Sequence, residues 1–232
     1  MSYLKSLFSL DNKISIVTGS ARGNGKAIAE ALLRSGSIVI MVDVLKKELL
    51  QTEKKFLSEN LPAVSYVCDI TKKDQILKLG KYIGKKFGRL DILVNNAGIS
   101  TSDSPLTYSE KNWEKTYQVN LKAPFFFSQE CAKIMKKKKS GVIINITSIN
   151  AEFAFPDNPS YQVTKAGLKQ LTKSLALDLA KFGIRVNSVG PGYFRTFMTK
   201  KSWNNLKKRK KIRESTILKR WGVPKDLEGI IV

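Results

Sequence analysis

The 232-residue sequence contains no histidine and only two cysteines. Without an imidazole, the chain cannot build a Ser-His-Asp or Cys-His nucleophile system, nor offer a histidine ligand to a metal ion. Enzymes that depend on a histidine base or a histidine-bound zinc are therefore excluded, and no metal site is predicted. Cys68 and Cys131 lie too far apart in sequence for a metal-ligand or redox pair motif. This cysteine usage is typical of a reducing compartment.

Long apolar runs are also missing. No stretch of about 18 apolar residues exists, so no membrane span is predicted. Residues 1–13 carry few apolar side chains and no small-residue cleavage site, unlike a signal peptide. A cytoplasmic location is the resulting expectation. The 42% of hydrophobic residues predicts a folded chain with a sizeable core.

Acidic residues are scarce: 19 stand against 41 basic ones, giving a net charge of +22. This charge raises the question of a nucleic-acid partner, and basic runs occur at 136–139 and 200–220. Only 8 of the 41 basic residues are arginine, the side chain that base readout and bidentate phosphate contacts favour. The basic runs also lack interleaved aromatic residues. We interpret them as solvated, lysine-rich helix faces, and a nucleic-acid partner is not expected.

Short apolar runs alternate with amphipathic stretches along the chain. The runs are nearly continuous in apolar residues, as strands of a buried parallel sheet are, and lie at 14–18, 38–43, 64–68, 92–95, 142–147 and 185–189. Helices are predicted over 24–35, 45–59, 72–87, 110–138 and 160–182. The alternation predicts an α/β fold: a Rossmann-like doubly wound parallel sheet with helices on both faces.

Residues 198–221 interrupt this alternation. They are helical in pattern and basic, and they include Trp203 and Trp221. An insertion after the last clear strand, at its carboxyl end, is placed to cover a ligand crevice. We therefore predict one domain over residues 1–232, with 196–221 as a substrate-covering insertion.

A glycine-rich turn, Thr18 to Gly25, joins the first predicted strand to the helix that follows. Gly19, Gly23 and Gly25 allow the backbone to approach a pyrophosphate, and the helix N-terminus offers free N–H groups and a positive dipole end. The spacing is G-x-x-x-G-x-G. A plain turn would need one glycine rather than three, so the strand-turn-helix context predicts a dinucleotide site.

Asp43 ends the second predicted strand, 18 residues after Gly25. A carboxylate there accepts hydrogen bonds from the ribose hydroxyls of NAD and repels the 2′-phosphate of NADP. Arg22, inside the loop, could instead meet a 2′-phosphate, whereas Val44 adds no second positive charge. NAD is therefore the expected cofactor, with NADP as the alternative.

Tyr161 and Lys165 are four residues apart near the start of a predicted helix, and therefore share one face. A free tyrosine has a pKa of about 10, and a neighbouring ammonium is expected to lower it. The pair could then serve as a general acid/base without histidine. Ser148, at the end of a predicted strand, adds a hydroxyl at the carboxyl edge of the sheet, where ligands bind.

Together these motifs resemble the short-chain dehydrogenase/reductase family over nearly the whole chain. The matching residues are Thr18 to Gly25, Cys68-Asp69-Ile70, Asn95-Asn96-Ala97-Gly98, Asn120, Ser148, Tyr161 with Lys165, and Pro191-Gly192 followed by Thr196. The pattern is similar to sugar-acid and polyol dehydrogenases and to 3-oxoacyl-acyl-carrier-protein reductases, and the sequence does not choose among them.

The resemblance implies an NAD(P)-dependent oxidoreductase that interconverts a secondary alcohol and a ketone by hydride transfer. Tyr161 would be the general acid/base, and Ser148 would hold the substrate oxygen. Lys165 would bind the nicotinamide ribose, and Asn120 would hold a water that links Lys165 to solvent. The cofactor-binding residues implied are Gly19, Ser20, Arg22, Gly23, Asn24, Gly25, Asp43, Asp69, Ile70, Asn96, Ala97, Gly98, Tyr161, Lys165, Pro191, Gly192 and Thr196.

A catalytically silent scaffold, or a basic nucleic-acid-binding protein on the same fold, is the alternative function, because a fold does not fix a function. The complete set Asn120, Ser148, Tyr161 and Lys165 argues against it. The expected partner is a small alcohol or ketone, with an anionic substrate as one candidate because of the basic 200–220 segment.

Pro124 follows Asn120 by four residues on the predicted helix. Proline has no N–H, so the Asn120 carbonyl would lose its helical donor and be free to accept from a water. This is a hypothesis for how the relay water is held; a simple helix kink is the alternative.

Residues 226–232 begin like a helix after Pro224, but the apolar face has barely begun at Val232 and no C-cap signal follows. The resembled family has one more parallel strand here, which often helps to pair subunits. We therefore expect a truncated version of a longer protein or a poorly stable chain, with an apolar end and an edge strand at 185–189 left exposed. A homotetramer is expected if the full-length chain has the final strand.

Overall fold

The computed structural model describes residues 3–232, apart from the side chains of residues 4–6. The first two residues of the 1–13 segment discussed above lie outside the described residues. Six parallel strands form one sheet in the order β3-β2-β1-β4-β5-β6. Their bounds are β1 Ile14–Thr18, β2 Ile38–Asp43, β3 Ala63–Val67, β4 Ile92–Asn95, β5 Gly141–Ile146 and β6 Ile184–Val189. The predicted strands are confirmed to within two residues at each end.

Ten α-helices surround this sheet in the described part of the chain. They are α1 Tyr3–Phe8, α2 Gly23–Arg34, α3 Lys46–Ser58, α4 Lys73–Phe87, α5 Glu110–Tyr117, α6 Ala123–Lys136, α7 Pro159–Leu179, α8 Lys200–Asn204, α9 Leu206–Ser215 and α10 Glu228–Ile231. Within residues 3–232, no helix is long and apolar enough to cross a membrane.

The prediction of a single continuous helix over 110–138 is wrong, because the structure has two helices there. A π-helical turn, Gln118–Lys122, separates α5 from α6. Pro124 follows at the start of α6 and cannot donate a backbone hydrogen bond. The helix predicted over 160–182 also ends earlier, because a tight turn at Ala180–Phe182 leads into Gly183, whose φ of +68° ends it in the left-handed region.

Two hydrophobic cores lie on opposite faces of the sheet, because successive strand residues point to opposite sides. Ile16 and Leu93 enter one core, which also contains Phe127 of α6. Val17 and Val94 enter the other, with residues of α2 and α3. Helices therefore cover both faces, and the predicted doubly wound fold is confirmed. The strand order reverses between β1 and β4, which opens a crevice at their carboxyl ends.

The C-terminal residues close one side of the second core. Leu227 and Ile231 are buried there, although Ile230 is exposed. The prediction of an exposed apolar end is therefore wrong for Ile231, because the short α10 turns that side chain toward α2. β6 is the edge strand, as predicted. Low stability of the 232-residue chain stays a prediction, which thermal melting would check.

An ion-pair cluster around Asp91 lies at the opposite, amino-terminal edge of the sheet. Its carboxylate accepts hydrogen bonds from Arg89 (2.6 and 2.9 Å), from Lys138 (2.8 Å) and from the Ile14 N–H (2.9 Å). Burial alone would raise the pKa of Asp91. The hydrogen bonds from Arg89, Lys138 and Ile14 outweigh that effect and lower the pKa to about 2.

Replacing Asp91 by asparagine is expected to reduce the free energy of unfolding at pH 7 by about 2 kcal/mol. Since the folded-state pKa is depressed, the stabilisation is fully present above the unfolded value of 3.8 and is lost as the pH falls through about 2. Urea unfolding between pH 7 and pH 3 would measure this, and the deficit of the variant should shrink toward low pH.

The matched control is Asp74→Asn. Asp74 forms an exposed pair with Lys78 at 3.8 Å, and such pairs contribute little. A deficit in D91N that is no larger than in D74N, or that does not change with pH, would show that the cluster does not stabilise the fold in this way.

Candidate active site

The glycine-rich loop lies at the carboxyl end of β1, and its glycines are required sterically. Gly19 has a φ of +66°, and an added Cβ would lie 2.8 Å from the Cα of Ala97. A Cβ on Gly25 would lie 2.1 Å from the carbonyl oxygen of Gly19. The loop, the start of α2 and the end of β4 are thus in backbone contact, as a close approach to a phosphate requires.

The N-terminus of α2 is free to meet a ligand. Arg22 precedes the helix without a side-chain cap, and no acidic residue lies in the first turn. The Oδ1 of Asn24 is buried without a hydrogen-bond partner, a costly arrangement for a polar atom. Uncapped N–H groups and a glycine cradle fit a dinucleotide pyrophosphate, while the orphaned amide oxygen can accept a hydrogen bond from a ligand hydroxyl.

Asp43 braces this loop from the end of β2. Its Oδ2 accepts from the Ala21 N–H at 3.0 Å, and its Oδ1 accepts from the Leu45 N–H at 3.1 Å. Each carboxylate oxygen can accept a further hydrogen bond, so Asp43 can also receive a ribose hydroxyl. The neighbouring Asp69, after β3, uses its Oδ1 within its own turn with Thr71.

The segment after β4 ties the loop to the rest of the site. The Asn96 amide donates to the carbonyls of Thr18 (2.9 Å) and Gly19 (3.2 Å), so this side chain holds the loop itself. A Cβ on Gly98 would lie 3.6 Å from the Nζ of Lys165. On the other side, Thr196 lies 3.6 Å from a Cβ placed on Gly23. Residues that are distant in sequence therefore meet around one groove.

Ser148, Tyr161, Lys165 and Asn120 come together beyond this groove. Ser148 lies two residues after the end of β5. Tyr161 lies in the first turn of α7 and forms a hydrogen bond with Ser148. The Nζ of Lys165 lies 5.7 Å from the centroid of the Tyr161 ring and donates to the carbonyl of Ile146 at 2.6 Å. The predicted catalytic residues are thus neighbours.

The expected lowering of the Tyr161 pKa is wrong in this structure. Burial raises the pKa of Tyr161, and its hydrogen bond with Ser148 only partly opposes that effect. Lys165 does not lower the pKa of Tyr161 again, because Lys165 is only 3% exposed and burial lowers its own pKa to about 8. Its ammonium is also directed at a carbonyl oxygen rather than at the phenol.

Asn120 is fully buried within the π-helical turn. Its Oδ1 accepts from the Ile99 N–H at 2.9 Å, while its Nδ2 donates to the Ile99 carbonyl at 2.8 Å. The side chain is therefore occupied by protein partners. Turns of this kind are frequent at functional sites. The water held by the Asn120 carbonyl stays a prediction, which a high-resolution crystal structure would check.

Three polar residues that were not singled out from the sequence support Ser148 and the start of α7. Tyr108 hydrogen-bonds Ser160 at 2.5 Å, next to Tyr161. Gln162 bonds the Phe155 backbone in both directions, at 2.6 and 3.0 Å. Asn150 accepts from the Ser148 hydroxyl at 3.1 Å. Of these three, only Asn150 could have been found from the sequence, because it follows Ser148 by two residues, the spacing of an ST turn.

The predicted insertion is anchored by an aromatic cluster. Trp221 is buried and packs on Trp203 (5.3 Å between ring centroids) and on Tyr193 (5.6 Å). Tyr193 in turn contacts Phe155 at 6.1 Å, the residue that Gln162 holds. The insertion is thus connected to the neighbourhood of Tyr161, while the lysines of α9 are exposed.

Comparisons with known proteins agree with this fold. Residues 13–207 match the short chain dehydrogenase family model. Gluconate 5-dehydrogenase of Gluconobacter oxydans (strain 621H) is 34% identical over 226 residues, covering 97% of this chain and 88% of that protein. The 3-oxoacyl-acyl-carrier-protein reductase of Thermotoga maritima is 34% identical over 229 residues, covering 96% and 90%.

A solved structure extends the likeness. The gluconate 5-dehydrogenase of Burkholderia cenocepacia J2315, in complex with NADP and tartrate, superposes with a TM-score of 0.95. It is 30% identical, and the match covers 99% of this chain and 90% of that one. The chain belongs to the short-chain dehydrogenase family.

Proposed function

We propose that the protein is an NAD(P)-dependent oxidoreductase that interconverts a secondary alcohol and a ketone. The observation that carries the proposal is the grouping of Ser148, Tyr161, Lys165 and Asn120 beside a glycine-lined groove. The nicotinamide cofactor supplies the hydride chemistry when bound. The Gly19–Gly25 loop would hold its pyrophosphate, and Asp43 its adenosine ribose.

The chain's own groups divide the remaining work. Ser148 and Tyr161 hold the substrate oxygen, and Tyr161 moves the hydroxyl proton. Since burial raises the pKa of Tyr161, the phenol is protonated at neutral pH, ready to donate to a ketone oxygen. Lys165 lies within the same buried set and can pass a proton, because its pKa is about 8. Asn120, fixed by Ile99, completes the set.

A polyhydroxy acid such as a sugar acid is the substrate class we propose, with residues 196–221 covering the crevice within a single domain. Two gluconate 5-dehydrogenases are among the relatives described. The amide of Asn150 and the hydroxyl of Ser148 offer polar contacts for such a molecule. Exposed apolar side chains on α5 and α7, including Trp113 and Leu177, favour a homo-oligomer.

The test is cofactor reduction by the full chain with a panel of sugar acids, polyols and 3-hydroxyacyl thioesters, and oxidation of the reduced cofactor with the matching ketones. Turnover of a sugar acid is expected. Absence of turnover with every alcohol and ketone, together with tight, salt-sensitive nucleic-acid binding, would favour the scaffold alternative.

Cofactor preference gives the next prediction. We expect the chain to bind NADH more tightly than NADPH, and Asp43→Ser to shift the ratio of dissociation constants toward NADPH by about tenfold or more, because a like-charge contact is removed. Titration calorimetry would measure both constants. Asp43→Asn is the matched variant, since it removes the charge and keeps one oxygen for the loop. A parent chain that prefers NADPH would show that Arg22 dominates.

The charge of the substrate leads to a further prediction. Between residues 200 and 220 there are ten basic residues and one acidic residue, Glu214. If this segment steers an anionic substrate, kcat/KM for a sugar acid should fall as salt shortens the screening length from about 30 Å at 0.01 M to about 3 Å at 1 M. An uncharged polyol serves as the control substrate. Equal salt dependence for both would exclude steering.

A further inference from the structure

One contact joins the glycine-rich loop to the segment after β6. The guanidinium of Arg22 lies over the ring of Phe197, with 3.8 Å between the Cζ and the ring centroid. Within residues 3–232, no ion pair or side-chain hydrogen bond connects Arg22 to a carboxylate. The Phe197 ring therefore sets the direction of the guanidinium.

The position of Phe197 is fixed by its neighbours, although the ring itself is 62% exposed. The hydroxyl of Thr199 donates to the Phe194 carbonyl at 2.6 Å and accepts from the Thr196 N–H at 3.1 Å. Phe194 also pairs with Gly222 in a parallel bridge. This bracing holds the backbone on both sides of Phe197 and so keeps its ring beside the loop.

Arg22 also stands next to the residue that contacts Asp43. Ala21 precedes it in the chain and donates its N–H to the Asp43 Oδ2 at 3.0 Å. A 2′-phosphate on the ribose near Asp43 would need a cation, and Arg22 is the basic residue of the loop. To serve it, the guanidinium would have to leave the Phe197 ring and give up the cation–π interaction.

We propose that Phe197 is a positioning residue for cofactor selection: by holding Arg22, it disfavours the cofactor that carries a 2′-phosphate. This inference rests on the proposed NAD(P)-dependent function. Phe197 itself does not need to touch the 2′-phosphate for the effect, since it acts only through the position of Arg22.

The test is calorimetric titration of the full chain with NADPH and with NADH, without substrate. Phe197→Ala is expected to raise the affinity for NADPH relative to NADH by about two- to fivefold, the range that an exposed cation–π pair supplies. Phe197→Tyr keeps the ring and should leave the ratio unchanged. Phe197→Leu keeps apolar bulk without the π face and should behave like Phe197→Ala, which provides a second variant if the alanine form folds poorly.

The decisive comparison uses Arg22→Ala. In that background, Phe197→Ala should no longer change the ratio. The inference is wrong, and the proposed function stands, if both cofactors bind and any of three results is found. In those results, Phe197→Ala and Phe197→Leu leave the ratio of NADPH to NADH affinity unchanged, or they lower the affinity for NADPH, or they have the same effect when Arg22 is absent. If the parent chain binds neither cofactor, the proposed function itself fails. Titration with adenosine 2′,5′-bisphosphate and AMP should reproduce the shift, because these probes carry only the adenosine end.

Discussion

Replacing Tyr161 by phenylalanine is expected to lower kcat by a factor of about 10²–10⁴, the usual contribution of a positioned general acid or base. The ring and its packing remain, so the melting temperature and the cofactor dissociation constant should change little. Since burial raises the pKa of Tyr161, alcohol oxidation by the parent chain should speed up as the pH rises above neutral and the phenolate forms. That rise should disappear in the variant. Steady-state kinetics between pH 6 and pH 10 would measure both effects.

The same substitution at Tyr117 is the control. Tyr117 ends α5 and is exposed, and the sequence assigns it no role in the site. Its phenylalanine variant should keep full activity. Retention of more than a tenth of kcat in Y161F, with the pH dependence intact, would assign proton transfer to another group.

Replacing Gly25 by alanine should produce the second large effect, on binding and on stability together. The new Cβ would lie 2.1 Å from the Gly19 carbonyl oxygen and 2.5 Å from the Asn96 amide nitrogen. Either the loop or the first turn of α2 must move. Forcing a methyl group into such a contact costs about 1–3 kcal/mol, which is on the order of 2–12 °C in melting temperature at this chain length. Because the displaced backbone is the proposed pyrophosphate cradle, NADH affinity should fall by at least about tenfold.

The chain offers a close control for this change in α4. A Cβ on Gly80 or Gly84 meets nothing within 4 Å. Alanine at these helical positions should raise stability by about 0.5–1 kcal/mol, because it restricts the unfolded chain and favours the helix. Calorimetric melting and NADH titration of G25A beside G80A would separate the two cases. A melting temperature in G25A equal to that of G80A would contradict the steric argument.

The six strands and their parallel arrangement could be predicted because each run, such as Ile38–Asp43, is apolar on both faces and is followed by a helical pattern. The break between α5 and α6 could not, since residues 118–122 have no composition that separates a π-helical turn from an α-helix. Pro124 was visible in the sequence, but whether it kinks a helix or follows a wider turn depends on packing.

In the candidate site, too, some features could be predicted from the sequence and others could not. The spacing of Tyr161 and Lys165 on one helix predicted that they lie together, and the structure confirms it. Their pKa values could not be predicted, because the burial of both groups and the direction of the Lys165 ammonium arise from long-range contacts. Tyr108 and Gln162 were missed for the same reason: each acts through a partner brought near by folding.

The aromatic cluster of the insertion gives the chain an intrinsic optical reporter. The chain has three tryptophans. The ring centroids of Trp203 and Trp221 are 5.3 Å apart in the segment next to the site, and the third, Trp113, lies on α5. Two of the three tryptophans that can emit therefore lie in the insertion. Any rearrangement of the segment would change the spectrum without an attached dye, and Trp113→Phe would remove the remaining background.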